Sequence, residues 1–135
     1  MQEPRCVMIL NADLPPGKAT NAAAVMALTL GQRHPTMVGE ALEDANARRY
    51  PGLIPVGIPV LAASIEQLNS LQMKCDELNC DVVLFPEEGQ TTTDYQRFSD
   101  AMRLIPGAEW RLLGLAIMGD KKVLRKLTAK LNLFS

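Results

Sequence analysis

The chain predicts one α/β domain over residues 1–135, with a mixed, mostly parallel sheet and helices on both faces. Three observations lead there. Strand-length apolar runs alternate with stretches of helical periodicity along most of the chain. Turn-forming residues, mainly proline and glycine, stand between successive elements. The 135 residues, 47% hydrophobic and 21% charged, are enough for one buried core, and no linker composition or internal repeat divides them.

Arg5 to Asn11 is an apolar run of strand length, suited to a sheet interior. Asn11-Ala12-Asp13-Leu14-Pro15-Pro16-Gly17 ends it, because two successive prolines cannot continue a ladder. A helix follows from near Lys18 to Leu30, with Gly31 as its stop. Its alanines, with Val25, Met26, Leu28 and Leu30, surround almost the whole circumference, which predicts burial on more than one side. Gln32 to Gly57 is irregular and carries the charged run Glu43 to Arg49, the pattern of a solvent-facing loop with room for a short hairpin.

Val56 to Ala63 reads as a second strand, and Pro59 within it predicts an edge or a bulge. Ser64 caps a helix that ends near Asn79, with Glu66 and Gln67 close to capping-box position. Ile65, Leu68, Leu71 and Leu78 form its apolar face, with Met73 and Cys75 alongside. Asp81 to Phe85 is a buried strand, and Pro86-Glu87-Glu88-Gly89 a sharp loop. Thr93 or Asp94 caps a short helix that runs to Leu104 and ends at Pro106-Gly107. Arg111 to Met118 is the next strand, turned by Gly119-Asp120. Lys121 to Leu131 is a last amphipathic helix with Val123, Leu124, Leu127 and Leu131 inward, and Leu133-Phe134 can pack back onto the core.

The bulk properties narrow the function classes. No apolar run approaches the roughly 18 residues of a bilayer span. The run Cys6 to Asn11 is too short for a signal peptide's apolar segment, so a cytoplasmic location without membrane association is expected. Cys6, Cys75 and Cys80 are an odd number at no disulfide spacing. They fit a reducing compartment and structural roles, and Cys6 is placed to pack as a small hydrophobe. Cys75 and Cys80 could share a metal only with His34, around which there is no motif, so no metal site is expected. The net charge of −1 does not favour nucleic acid as a partner. From Arg111 onward, six basic residues face the single acid Asp120, which allows a basic patch or simply a solvated helix face.

The place with the most chemistry is the elbow from Asn11 to Asn21. In α/β sheets, ligands gather where strands pass into helices, and the elbow opens a helix whose first N–H groups favour anions. Lys18 can add a full charge, while Asn11, Asp13 and Asn21 offer polar side chains. Those same groups can equally serve only the loop backbone and solvent. Neither G-x-x-x-x-G-K-[ST] nor G-x-G-x-x-G occurs, so no cofactor is expected. His34 follows the first helix in a polar turn, a poor centre for a catalytic triad. Glu87 and Glu88, after a buried strand, offer a general base or a solvated loop tip.

Read together, the elements resemble the type 2 peptidyl-tRNA hydrolase fold. That family opens with a strand and D-L-x-M-G-K-G-K-x-A-A-Q-x-x-H-A, which Asp13 to Ala27 resembles. Its later Q-D-A-G-R-T-Q is similar to Pro86 through Thr92, and its closing L-T-G-x-L-x-L to Leu127 through Leu133. The resemblance implies a four-stranded sheet between helices and a homodimer. It also implies Lys18, Glu87 and Thr91 as candidate catalytic residues, but the departures fall on the chemistry. The family's second lysine, a catalytic residue, is replaced by Thr20. Its glutamine and histidine are replaced by Ala24 and Ala27, and its loop aspartate by Glu87. Losing the lysine removes a cation that could stabilise an oxyanion. A nearer resemblance is to an uncharacterised family of bacterial domains carrying N-x-D-L-P-P-G-x-x-x-N-A-A-A-V, here Asn11 to Val25, and G-L-x-x-x-G, here Gly114 to Gly119.

Two functions follow as expectations. One is a non-catalytic module binding a small ligand or protein segment through Asn11, Asp13, Gly17, Lys18, Asn21, Glu87 and Thr91. The other is a hydrolase of peptidyl-tRNA or a similar ester.

Overall fold

The computed structural model describes residues 3–135. Its main sheet has five strands: β1 (Pro4–Asn11), β4 (Val60–Ala63), β5 (Asp81–Pro86), β6 (Leu112–Asp120) and β7 (Asn132–Leu133). They lie in the order β5-β6-β1-β4-β7. Only β1 and β4 pair in parallel; the other three pairings are antiparallel. The expected mostly parallel, four-stranded sheet is therefore corrected to a mostly antiparallel, five-stranded one.

The cause is the return path between β5 and β6. A parallel return needs a helix that spans the sheet. The segment instead holds only α3 (Glu88–Thr91) and α4 (Tyr95–Arg103), both short, and a 3₁₀ turn at Gly107–Glu109. Pro86 ends beside Leu112, so the chain re-enters where it left. The sheet thus places β6 between β5 and β1. These two, with β4, still run in one direction and end at one edge of the sheet, which carries the loops of interest.

β1 is the central strand, and its side chains alternate between two cores. Val7 and Ile9 face α2 (Ile65–Glu77) and α5 (Lys121–Leu127), whose Leu68, Leu71, Cys75 and Leu124 complete one core. Cys6, Met8 and Leu10 face α1 (Pro16–Arg33) through Ala19, Ala22, Met26 and Leu30. Helices on both faces are as expected. The predicted all-round burial of α1 is not found: its buried residues form one stripe, and Leu28 on the outer side is 80% exposed. Close approach on the inner side depends on Gly114, where a Cβ would stand 2.8 Å from Met26 Cε and 2.9 Å from the Ile9 carbonyl oxygen.

Other boundaries shift for local reasons. Pro59 lies just before β4 rather than inside it, and its carbonyl accepts the Met8 N–H at 3.0 Å. β4 is an inner strand because β7 covers its far side. The Leu133-Phe134 tail supplies that cover: Leu133 pairs with Leu61, and Phe134 packs on the α1 core. The last helix stops at Leu127 instead of Leu131. Gly119 and Asp120 stay in β6 instead of turning. Ser64 forms the capping box with Gln67, while Leu78, expected on the apolar face of α2, and Met73, expected alongside it, are exposed. The charged run forms a hairpin of β2 (Leu42–Glu43) and β3 (Arg49–Tyr50).

Candidate functional site

The elbow is held by its own backbone. Asn11 is 7% exposed, and its Oδ1 accepts the Asp13 N–H at 2.9 Å. The Leu14 N–H donates to the Asn11 carbonyl at 3.1 Å, and the Ala12 N–H to Ala63 at the end of β4 at 2.9 Å. Buried polar groups must find partners, so the Asn11 side-chain oxygen is committed to shaping the turn. Pro15 is extended and Pro16 opens the helix, where its missing N–H costs nothing. No side chain caps α1. Thr20 donates its hydroxyl to the Pro16 and Gly17 carbonyls.

The second loop is not the sharp turn expected but helix α3, packed close because Gly89 has no side chain. A Cβ there would stand 2.8 Å from the Phe85 ring. Glu87 accepts a hydrogen bond from Arg111 Nε at 3.1 Å, and its carboxylate is spent in that exposed pair. Thr91 turns its hydroxyl back to the Glu88 carbonyl at 3.4 Å. The residue that joins the two loops is Gln90. Its Nε2 donates to the Lys18 carbonyl at 2.8 Å and to Asn21 Oδ1 at 3.2 Å. Nothing in the spacing of the sequence singles it out.

The first turn of α1 divides the expected site in two. On one side, Asn11 and Asp13 line a depression of about 390 Å³ with Ser64, Gln67 and Lys130. On the other, Asn21, Val25, Phe85, Gly89, Tyr95 and Phe98 are among the residues lining a groove of about 280 Å³. Tyr95 and Phe98 meet edge to face there, with ring centres 5.8 Å apart. Lys18 and Glu87 are exposed and line neither. Thr91 likewise lines neither. What the structure brings together is Lys18 and Asn21 with Gln90.

A family model described as a protein of unknown function, DUF2000, matches residues 4–135. The chain belongs to the DUF2000 family. No curated protein matches it. A solved structure, that of the protein of unknown function Atu0240 from Agrobacterium tumefaciens strain C58, is similar over all of both chains, with a TM-score of 0.89 and 21% identity. That likeness speaks for the fold alone.

At the far end of α1, the DUF2000 chain holds a polar network that the sequence reading missed. Arg33 donates to both oxygens of Asp81 at 2.9–3.1 Å, and His34 Nε2 lies 2.6 Å from Asp81 Oδ2. The Arg33 guanidinium holds the Asp81 carboxyl below the usual carboxylate range, against partial desolvation. Beside it, an apolar cavity of about 90 Å³ is lined by Cys6, Met8, Leu30, His34, Met37 and Met118, among others.

Burial pushes the Cys6 thiol up to about 11 and the Cys75 thiol to about 12. Cys6, buried in the α1-side core, packs as a small hydrophobe, as expected. Cys75 and Cys80 belong to the opposite face of the sheet from the cavity that His34 lines. The three cannot share an ion, and no group of metal-ligating residues occurs among the described residues. Among them, no helix is long and apolar enough to cross a membrane.

Proposed function

We propose that this DUF2000 domain is a binding module on a peptidyl-tRNA hydrolase-like frame, with the groove between α1 and the α3–α4 segment as its site. The observation that carries this reading is the Gln90 bridge to the Lys18 carbonyl and Asn21. It ties α3 to the first turn of α1 and preorganises the groove's rim, which lowers the entropy lost on binding. The floor is apolar and aromatic, the rim amide and hydroxyl, the usual make-up of a ligand site. A small ligand or protein segment with an apolar group for Val25, Phe85 and Phe98 suits it.

Hydrolysis is disfavoured in this reading because Glu87 is paired, Thr20 is bonded to backbone and Lys18 stands apart. A peptidyl-tRNA hydrolysis assay, run with Lys18→Ala and Glu87→Ala, tests it. No turnover above background is expected. Turnover abolished by either substitution would make the domain a hydrolase.

Amide shift mapping against a peptide and fragment library is expected to move Asn21, Gly89 and Thr92 together, and Phe98→Ala to silence the response. The homodimer is part of the same proposal, with exposed Leu28 on the outer face of α1 as the contact. Light scattering after gel filtration reads it, and a monomer at working concentration would remove it.

A further inference from the structure

A cleft lies beside β1, at the opposite end of that strand from the elbow. β1 has eight residues and β4 only four, so their pairing begins at Met8 and Val60. Arg5 to Val7 therefore have β6 on one flank and, on the other, only the Gly57–Pro59 segment. The missing length of strand leaves a cleft of about 560 Å³ beneath α5. That volume is in the range of small-molecule sites.

The lining is sharply divided. Val7, Ile58 and Leu124 give an apolar surface, and Arg5, Lys121 and Arg125 give three cations, with no carboxylate among the lining residues. Lys121 has one loose contact, 3.6 Å from the mostly exposed Glu3 carboxylate. Among the described residues, Arg5 and Arg125 form no salt bridge, and their guanidinium groups enter no hydrogen bond within the protein. Bringing like charges to one cleft is unfavourable unless an anion neutralises them. Guanidinium forks match carboxylate and phosphate geometry in particular.

We propose that this cleft binds a small amphiphilic organic anion. Its carboxylate or phosphate head is held by Arg5, Lys121 and Arg125, and its apolar body lies on Val7, Ile58 and Leu124. The basic carboxyl-terminal segment thus has a local task that the near-neutral net charge conceals.

The full-length protein is titrated with decanoate and with phenyl phosphate, and separately with inorganic phosphate and decanol, following backbone amide shifts and heat. Saturable binding of at least one amphiphile is expected, with shifts at Val7, Gly57 and Arg125 and much weaker responses to the head or the tail alone. Decanoate without phenyl phosphate, or the reverse, assigns the head group and supports the site.

Arg5→Gln and Arg125→Gln are each expected to weaken binding about tenfold by removing one charge-assisted contact. Urea unfolding checks that both variants fold, and Arg125→Gln on exposed α5 provides the reading if Arg5→Gln does not. The proposal is overturned if neither amphiphile binds at millimolar concentration, if folded variants bind as well as the parent, or if inorganic phosphate alone moves the same amides to the same extent. Displacement of decanoate by an acidic peptide or an RNA oligonucleotide that binds more tightly would also overturn it, giving the cleft to a macromolecule.

Discussion

Gly114→Ala tests how closely α1 must approach the sheet. No glycine among the described residues has a positive φ, so alanine suits the backbone at this position, and the cost lies entirely in contacts. The new methyl carbon would stand 2.8 Å from Met26 Cε, 3.1 Å from Leu10 Cδ2 and 2.9 Å from the Ile9 carbonyl oxygen. The two side-chain ends can swing aside. The carbonyl belongs to the backbone of β1, paired with β6, and yields only if the strands or the helix move. Overpacking of this kind costs about 1–3 kcal/mol. Reduced unfolded-state entropy returns roughly 0.4–1 kcal/mol. The expected net loss is about 1–2 kcal/mol, or a melting temperature lower by roughly 3–8 °C.

Urea unfolding and thermal melts measure it, with Gly31→Ala as the matched control. Gly31 also lies in α1, has nothing within 4 Å of its would-be Cβ, and should gain about 0.5–1 kcal/mol. Amide shifts at Lys18, Asn21 and Gln90 should move in Gly114→Ala, because the displaced helix carries the elbow. If Gly114→Ala is as stable as the parent while Gly31→Ala shows its gain, the glycine does not set the spacing and the reasoning fails.

Three further outcomes are expected. Asp81→Asn should destabilise the protein at neutral pH and flatten its acid limb. The depressed carboxyl contributes stability that is fully present above the unfolded value and is lost as pH falls through the lower folded one. Urea midpoints between pH 7 and pH 3 read this, and parallel curves for the two proteins would contradict it. At pH 8, a thiol reagent should label native Cys80 first and leave Cys6 and Cys75 slow, since both are buried and burial pushes their thiols up to about 11 and about 12. Mass spectrometry of the labelled peptides decides the order. Ser64→Ala breaks the capping box with Gln67 and should cost about 1 kcal/mol by chemical denaturation, with the m-value unchanged.

The order of elements was largely legible, and the pairing was not. Runs such as Asp81 to Phe85 and Ser64 with Gln67 declare themselves through local chemistry. The place of β6 does not, because it depends on the whole return path, in which α3 and α4 are too short to cross the sheet. β7 is two residues long and has no periodicity to read.

The elbow was visible as proline and glycine punctuation. Its division by α1, and the commitment of Glu87 to Arg111, arise from residues brought together across the fold. Gln90 is one amide among several in the sequence until α3 lays it against Lys18. The cleft at Arg5 was hidden for a different reason: it is made by the missing half of a strand, which leaves no residue pattern of its own.

The position of β6 also sets the order in which the chain can assemble. Every residue that β1 pairs with in β6 lies more than one hundred positions further along. A nascent chain therefore exposes its central strand long before that strand's longest partner is made. Until Leu112 to Asp120 leave the ribosome, β1 has a bare edge, and Val7 and Ile9 lack much of their core. Such non-local pairing slows folding and lengthens the exposure of an aggregation-prone edge. Truncation before β6 should therefore yield not a smaller stable domain but a species that depends on chaperones.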